Sequence, residues 1–143
     1  MANIELVNED KLGCAKGTAV EEAIEQNFRG ETFEVGLYLA MSKQAEQEGY
    51  PEVANAMKSI AIDEAWHAAR FAELNGKVST STKENIEKML VGECGANKGK
   101  REAAVIAKDK GCDPAHDALD ESSRDEARHA RALDGLLKRY FSK

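Results

Sequence analysis

Gly30-Glu31 and, thirty-three residues after that Glu, Glu64-Ala65-Trp66-His67 recur as Gly92-Glu93 and, again thirty-three residues on, Glu126-Ala127-Arg128-His129. Each copy reads Gly-Glu … Asp-Glu-Ala-x-His-Ala, and every one of these positions repeats at an offset of 62. One Glu from each of two helices, plus Glu-x-x-His from each of two more, is the ligand set of a carboxylate-bridged two-metal site in a helical bundle. In a helix the i, i+3 spacing of Glu and His puts both donors on one face.

Outward from this pattern, hydrophobic periodicity predicts four helices. The first is expected after Thr18, where Thr18-Ala-Val-Glu21 has the form of a capping box. Its inner row runs Val20, Ile24, Asn27, Glu31, Glu34, Tyr38, Met41 and Ala45, and Gly49 stops it. The second is expected from Pro51, with Ala54, Met57, Ile60 or Ala61, Glu64, His67, Phe71 and Leu74 inward. Ser81-Thr-Lys-Glu84 is a second capping box and opens the third helix, with Ile86, Met89 or Leu90, Glu93, Ala96, Lys100, Ala103 and Ala107 inward. Gly95 and Gly99 suggest close approach of another backbone. Asp113-Pro114 is expected to cap and start the fourth, whose inner row is Leu119, Ser122, Glu126, His129, Leu133, Leu136 and Tyr140. The expected fold is therefore all-α, a single domain over 1–143: an arm at 1–17, a hairpin at 18–75 and its repeat at 82–140.

Composition agrees. The chain is 42% hydrophobic and 32% charged over 143 residues, enough for one helical core. A net charge of −6 argues against a nucleic-acid or anionic-membrane surface. No apolar run approaches the roughly 20 residues of a membrane span. The first residues show no basic-then-apolar secretory pattern, so a cytoplasmic location is expected. Cys14, Cys94 and Cys112 form no Cys-x-x-Cys pair and read as reduced thiols. His116 falls outside the repeat and reads as a surface or capping residue.

Four carboxylates aimed at one level of a core would raise their own pKa values or break the fold unless cations were present. Two divalent ions would neutralise four carboxylates. Carboxylate with imidazole suits iron, manganese or zinc better than magnesium or calcium.

Gly30-Glu31, Tyr38, Gln47-Glu48-Gly49-Tyr50 and Glu64-Ala65-Trp66-His67-Ala68 together resemble the rubrerythrins of the ferritin-like superfamily. The resemblance covers residues 18 to 140. It implies a ferritin-like four-helix bundle with two non-haem iron ions, zinc or manganese being substitutes. One iron would be held by Glu31 and His67 and the other by Glu93 and His129, with Glu64 and Glu126 bridging. It also implies reduction of hydrogen peroxide, with electrons from an external donor such as a rubredoxin-like protein or another reductase. Two departures stand out. No four-Cys iron–sulfur module follows the bundle through Lys143, and the exchangeable Glu that rubrerythrins carry on the third helix is Ala96 here. Glu34 occupies the mirror position in the first half and is a candidate for that ligand, or else a second-sphere or surface acid. Tyr38 is a candidate to hydrogen-bond a ligand carboxylate or peroxide, or is a packed core Tyr. Lys100, at the matching place, is expected to reach solvent along its stem, a cationic role near the site being the alternative. The alternative functions are iron oxidation or an oxidase activity with dioxygen, and a non-enzymatic metal-binding protein.

The short link between the hairpins adds an expectation of a homodimer with exchanged hairpins. In a ferritin-like bundle the second and third helices run parallel. A link within one chain would then span about 31 Å axially at about 1.5 Å per residue of helix. Seven residue steps from Asn75 to Thr82 reach at most about 25 Å.

Overall fold

A computed structural model of the chain describes residues 11–142; residues 1–10 of the arm expected at 1–17 lie outside the described residues. Four helices follow in order: α1 (Glu21–Gln47), α2 (Pro51–Leu74), α3 (Thr82–Asp109) and α4 (Asp113–Phe141). No strand occurs among the described residues. This is the all-α, four-helix content that the periodicity predicts, and it agrees with the ferritin-like class that the resemblance implies. The chain divides at Thr80 and Ser81 into two compact units, the first holding α1 and α2, the second α3 and α4.

In the first unit, α1 and α2 form an antiparallel hairpin around small side chains. Ala54, Ala61 and Ala68 of α2 are buried at seven-residue spacing, against Ser42 and Ala45 of α1. Small residues let two helix backbones approach closely without cavities. Ile24, Phe28, Glu31, Val35 and Tyr38 of α1 are half-buried on the same side. The expected inner row of α1 is thus shifted. Val20 and Met41 are exposed, and exposed Asn27 turns its amide back to the Ala23 carbonyl at 2.8 Å.

Local signals set the ends. Pro51 starts α2 in its first turn, and Gly49, at φ +85°, takes the left-handed conformation that ends α1. The Thr18 box closes differently from expectation. Glu21 accepts from the Gly17 N–H at 2.6 Å, and Thr18 Oγ1 donates to Ala15 O at 2.6 Å and accepts from Val20 N–H at 3.3 Å. Residues 18–20 therefore form a turn, and α1 begins at Glu21. Residues 11–17 dock on the end of α2. Gly13 N–H donates to Glu73 O at 2.7 Å and Ala15 N–H to Leu74 O at 3.0 Å, with Ala15 buried. Gly13 and Gly76, both at positive φ, meet backbone to backbone.

In the second unit, Ala104 of α3 and Ser123 of α4 are buried at places equivalent to Ser42 and Ala61. A polar clamp joins the two helices. Asn97 Nδ2 donates to Ser123 O at 2.7 Å and to Ser123 Oγ at 3.1 Å, while Ser123 Oγ donates to Asn97 O at 2.9 Å. Val35 and Ala61 hold the corresponding places in the first hairpin. Ser81 caps α3 as expected, accepting from the Glu84 N–H at 3.3 Å. Asp113 lies inside the first turn of α4, after Cys112, and pairs with Lys108 at 2.8 Å. No side chain or backbone lies within 4 Å of a Cβ added at Gly95 or Gly99. The close approach expected there is therefore not seen among the described residues.

A Cβ on residue 76 would sit 3.2 Å from Gly13 Cα at φ +64°. Gly76→Ala should therefore destabilise by about 1–3 kcal/mol. Gly36→Ala, inside α1 with open space around it, should instead stabilise by roughly 0.5–1 kcal/mol. Thermal or urea unfolding of the two variants checks the opposite signs.

Candidate metal centre

Each hairpin gathers one Glu, then the Glu and His of its Glu-x-x-His. In the first, ligand-capable atoms of Glu31, Glu64 and His67 all lie within 4.8 Å of one another; in the second, those of Glu93, Glu126 and His129 do. All six residues singled out by the repeat are thus brought into two matching triads.

The internal geometry agrees between halves. His67 Nδ1 lies 2.8 Å from Glu64 Oε2 and 3.7 Å from Glu31 Oε2. His129 Nδ1 lies 3.2 Å from Glu126 Oε2 and 3.4 Å from Glu93 Oε2. In both it is Nδ1 that faces the carboxylates. The carboxylates are largely screened from water, with side-chain exposures of 20, 16, 18 and 15% for Glu31, Glu64, Glu93 and Glu126. The imidazoles are exposed, although the apolar rows suggested an inward position for both.

Electrostatics shows the cost of the arrangement. The Glu31 carboxyl is raised above its usual range by hydrogen bonding with neighbouring Glu64, then by partial burial. Glu93 is raised in the same way by Glu126 and by partial burial. Within each pair the other member is lowered. Glu64 is lowered by Glu31 and then His67; Glu126 is lowered to about 2 by Glu93 and then Lys100. His67 is raised, chiefly by Glu64. Each pair thus has one member shifted up and the other down, the expected response of like charges at close quarters. Glu93 Oε2 is also buried with no hydrogen-bond partner. A buried carboxylate oxygen without a donor costs free energy that a coordinated cation removes. The donor set therefore fits divalent transition metals, carboxylate and imidazole together.

The remaining candidates divide. Glu34 is exposed and stands outside the triad, though near enough that its charge raises Glu31. Tyr38 is half-buried on the same face of α1. Lys100 corrects expectation: its stem does not carry the ammonium to open solvent. Half-buried, it donates from α3 to Glu126 Oε1 on α4. The i+7 spacing from Glu93 to Lys100 was the only signal of this contact in the sequence. His116 pairs with Asp117 at 2.9 Å, away from both triads. Cys14, Cys94 and Cys112 are free and exposed, and belong to neither triad. No helix of the described residues is long and apolar enough to cross a membrane.

Residues 22–137 match the family model for rubrerythrin. An uncharacterized protein of Methanocaldococcus jannaschii is 60% identical over 138 residues, covering 96% of this chain and 98% of that protein. Reverse rubrerythrin-1 of Clostridium acetobutylicum is 51% identical over 137 residues, covering 94% of this chain and 76% of that protein.

Because Glu31, Glu93 and His67 are all shifted upward, a metal ion must displace protons they hold at higher pH than free side chains would. Divalent-metal affinity should fall steadily as pH is lowered, with protons released on binding. Calorimetric titration with cobalt(II) in two buffers of different ionisation enthalpy measures both.

Proposed function

The chain belongs to the rubrerythrin family, and from that premise we propose that it is a di-iron oxidoreductase that reduces hydrogen peroxide to water. The observation that carries the reading is the pair of matching Glu, Glu, His triads. In this reading Glu31 and His67 would hold one iron and Glu93 and His129 the other, with Glu64 and Glu126 as ligands available to both. A bound pair of ferrous ions would supply, one electron from each, the two electrons that reduction of peroxide to two waters consumes with two protons. An external donor of low potential then returns the electrons.

The chain's own groups supply protons and position. The Tyr38 phenol, on the half-buried face of α1, is a hydrogen-bond donor toward the reacting oxygen. Glu34 lies one turn beyond Glu31, exposed and outside the triad, where it is free to swing. In this reading it is the carboxylate that enters or leaves a metal as the redox state changes.

Anaerobic loading with ferrous iron, followed by one equivalent of peroxide, tests the reading. A di-ferric absorption band and consumption of one peroxide per pair of irons are expected; faster turnover with dioxygen would favour an oxidase. Glu34→Ala should keep both metals and slow the reaction with peroxide. Unchanged kinetics at full occupancy would make Glu34 a surface acid.

We also propose that the working unit is a homodimer with exchanged hairpins. Seven steps from Asn75 to Thr82 reach at most about 25 Å, short of the axial return within one bundle. Each hairpin also leaves large apolar side chains exposed, Phe33, Leu37 and Trp66 in the first, Val91 and Ile106 in the second. A second copy supplies a hairpin built to the same repeat. Co-refolding His67→Ala with His129→Ala should restore part of the activity, because one of the two sites in the mixed dimer is intact. A monomer of 15.6 kDa that binds two metals would overturn the exchange.

A further inference from the structure

Resting on the two-metal reading, we infer that Lys100 is a positioning residue that sets the charge of the centre at Glu126, raising its reduction potential and restraining its metal affinity. Lys100 stands seven residues beyond Glu93, two turns along the same face of α3. From there its ammonium crosses to the α4 carboxylate. That carboxylate also takes His129 Nδ1 at 3.2 Å through its other oxygen, Oε2. The contact is sheltered: side-chain exposure is 37% for Lys100 and 15% for Glu126. It is therefore screened less than an ion pair in open water.

The internal repeat supplies a control within the same molecule. Position 38 in the first half matches position 100 in the second, and there the chain has Tyr, which carries no charge at neutral pH. Glu64, the counterpart of Glu126, pairs with His67 and has no lysine or arginine on it among the described residues. One half of the repeat thus carries a cation that the other lacks.

An ionised carboxylate oxygen has two lone-pair directions. Glu126 Oε1 can therefore face a metal and still accept from Nζ. A hydrogen bond from a cation withdraws electron density from a ligand oxygen and tunes the metal it binds. The ammonium also repels the ion directly, and a ferric ion more than a ferrous one, so the reduced pair is favoured. Lys100 would then ease the return of electrons from the external donor while weakening the hold on metal.

The test compares the full chain with Lys100→Met and Lys100→Arg. The readouts are a mediated redox titration of the iron-loaded proteins and a cobalt(II) titration of the metal-free ones. Lys100→Met should shift to a lower potential and bind cobalt(II) about tenfold more tightly or better. Lys100→Arg should behave as the unaltered chain. An unchanged potential in Lys100→Met overturns the inference even if cobalt(II) affinity rises, since a lysine that merely fills the metal-free site and leaves on loading gives that result. If helical circular dichroism shows Lys100→Met misfolded, Lys100→Gln takes its place with the same two outcomes. The two-metal reading fails separately, when the unaltered chain binds fewer than one cobalt(II) per triad.

Discussion

Like-charge crowding between carboxylates is the constraint on which the rest of the structure depends. Glu31 against Glu64, and Glu93 against Glu126, are set on facing helices and screened from water. Within each pair the repulsion raises the pKa of one member, Glu31 or Glu93. Such pairs persist only if the scaffold holds them, and it does so with small residues. Ala54, Ala61, Ala68 and Ala104 let the helices pack closely enough for the carboxylates to meet. Caps at Ser81 and Pro51, and the docked turn at residues 13–15, fix where the helices end. They thereby fix the level at which position 31 faces position 64.

Much of this is legible in the sequence because the carboxylates interrupt an apolar period. Glu64 sits where an Ala or Met would continue the row, and its repeat at Glu126 makes chance placement implausible. Helix number and the starts at Pro51 and Ser81 follow from local chemistry acting within a few residues. What was illegible depends on contacts distant in sequence. Lys100 and Glu126 are 26 residues apart, and a lysine on an inner row has two outlets, solvent or a partner, that periodicity cannot separate. The start of α1 was missed because Glu21 reached Gly17 rather than Thr18. A capping box read from residue types alone does not specify which N–H is taken. Met41 and Val20 were placed inward by spacing, whereas Ser42 and Phe28 take up the contact face. Small residues beside larger ones move a helix face by one position, and only packing decides it.

The repeat is kept at the two triads and broken immediately around them. Beside the first triad stand Glu34, Val35 and Tyr38; beside the second, at the same places, stand Ala96, Asn97 and Lys100. Val35 and Ala61 have no polar side-chain group with which to make a hydrogen bond, whereas Asn97 is locked to Ser123 by three hydrogen bonds. Each of these polar partners is directional where apolar packing is not.

Charge completes the contrast. With neutral imidazoles and ionised carboxylates, Glu31, Glu34 and Glu64 give the first half three negative charges near its metal position. Glu93 and Glu126 with Lys100 leave the second half one. A metal ion bound at the first triad would meet more negative charge than one bound at the second. The half with spare negative charge also carries the exposed, unclamped Glu34; the half with the cation carries the clamp. Duplication of one hairpin thus yields two equivalent ligand sets in inequivalent fields. That inequivalence would give the same cation a different affinity at each triad.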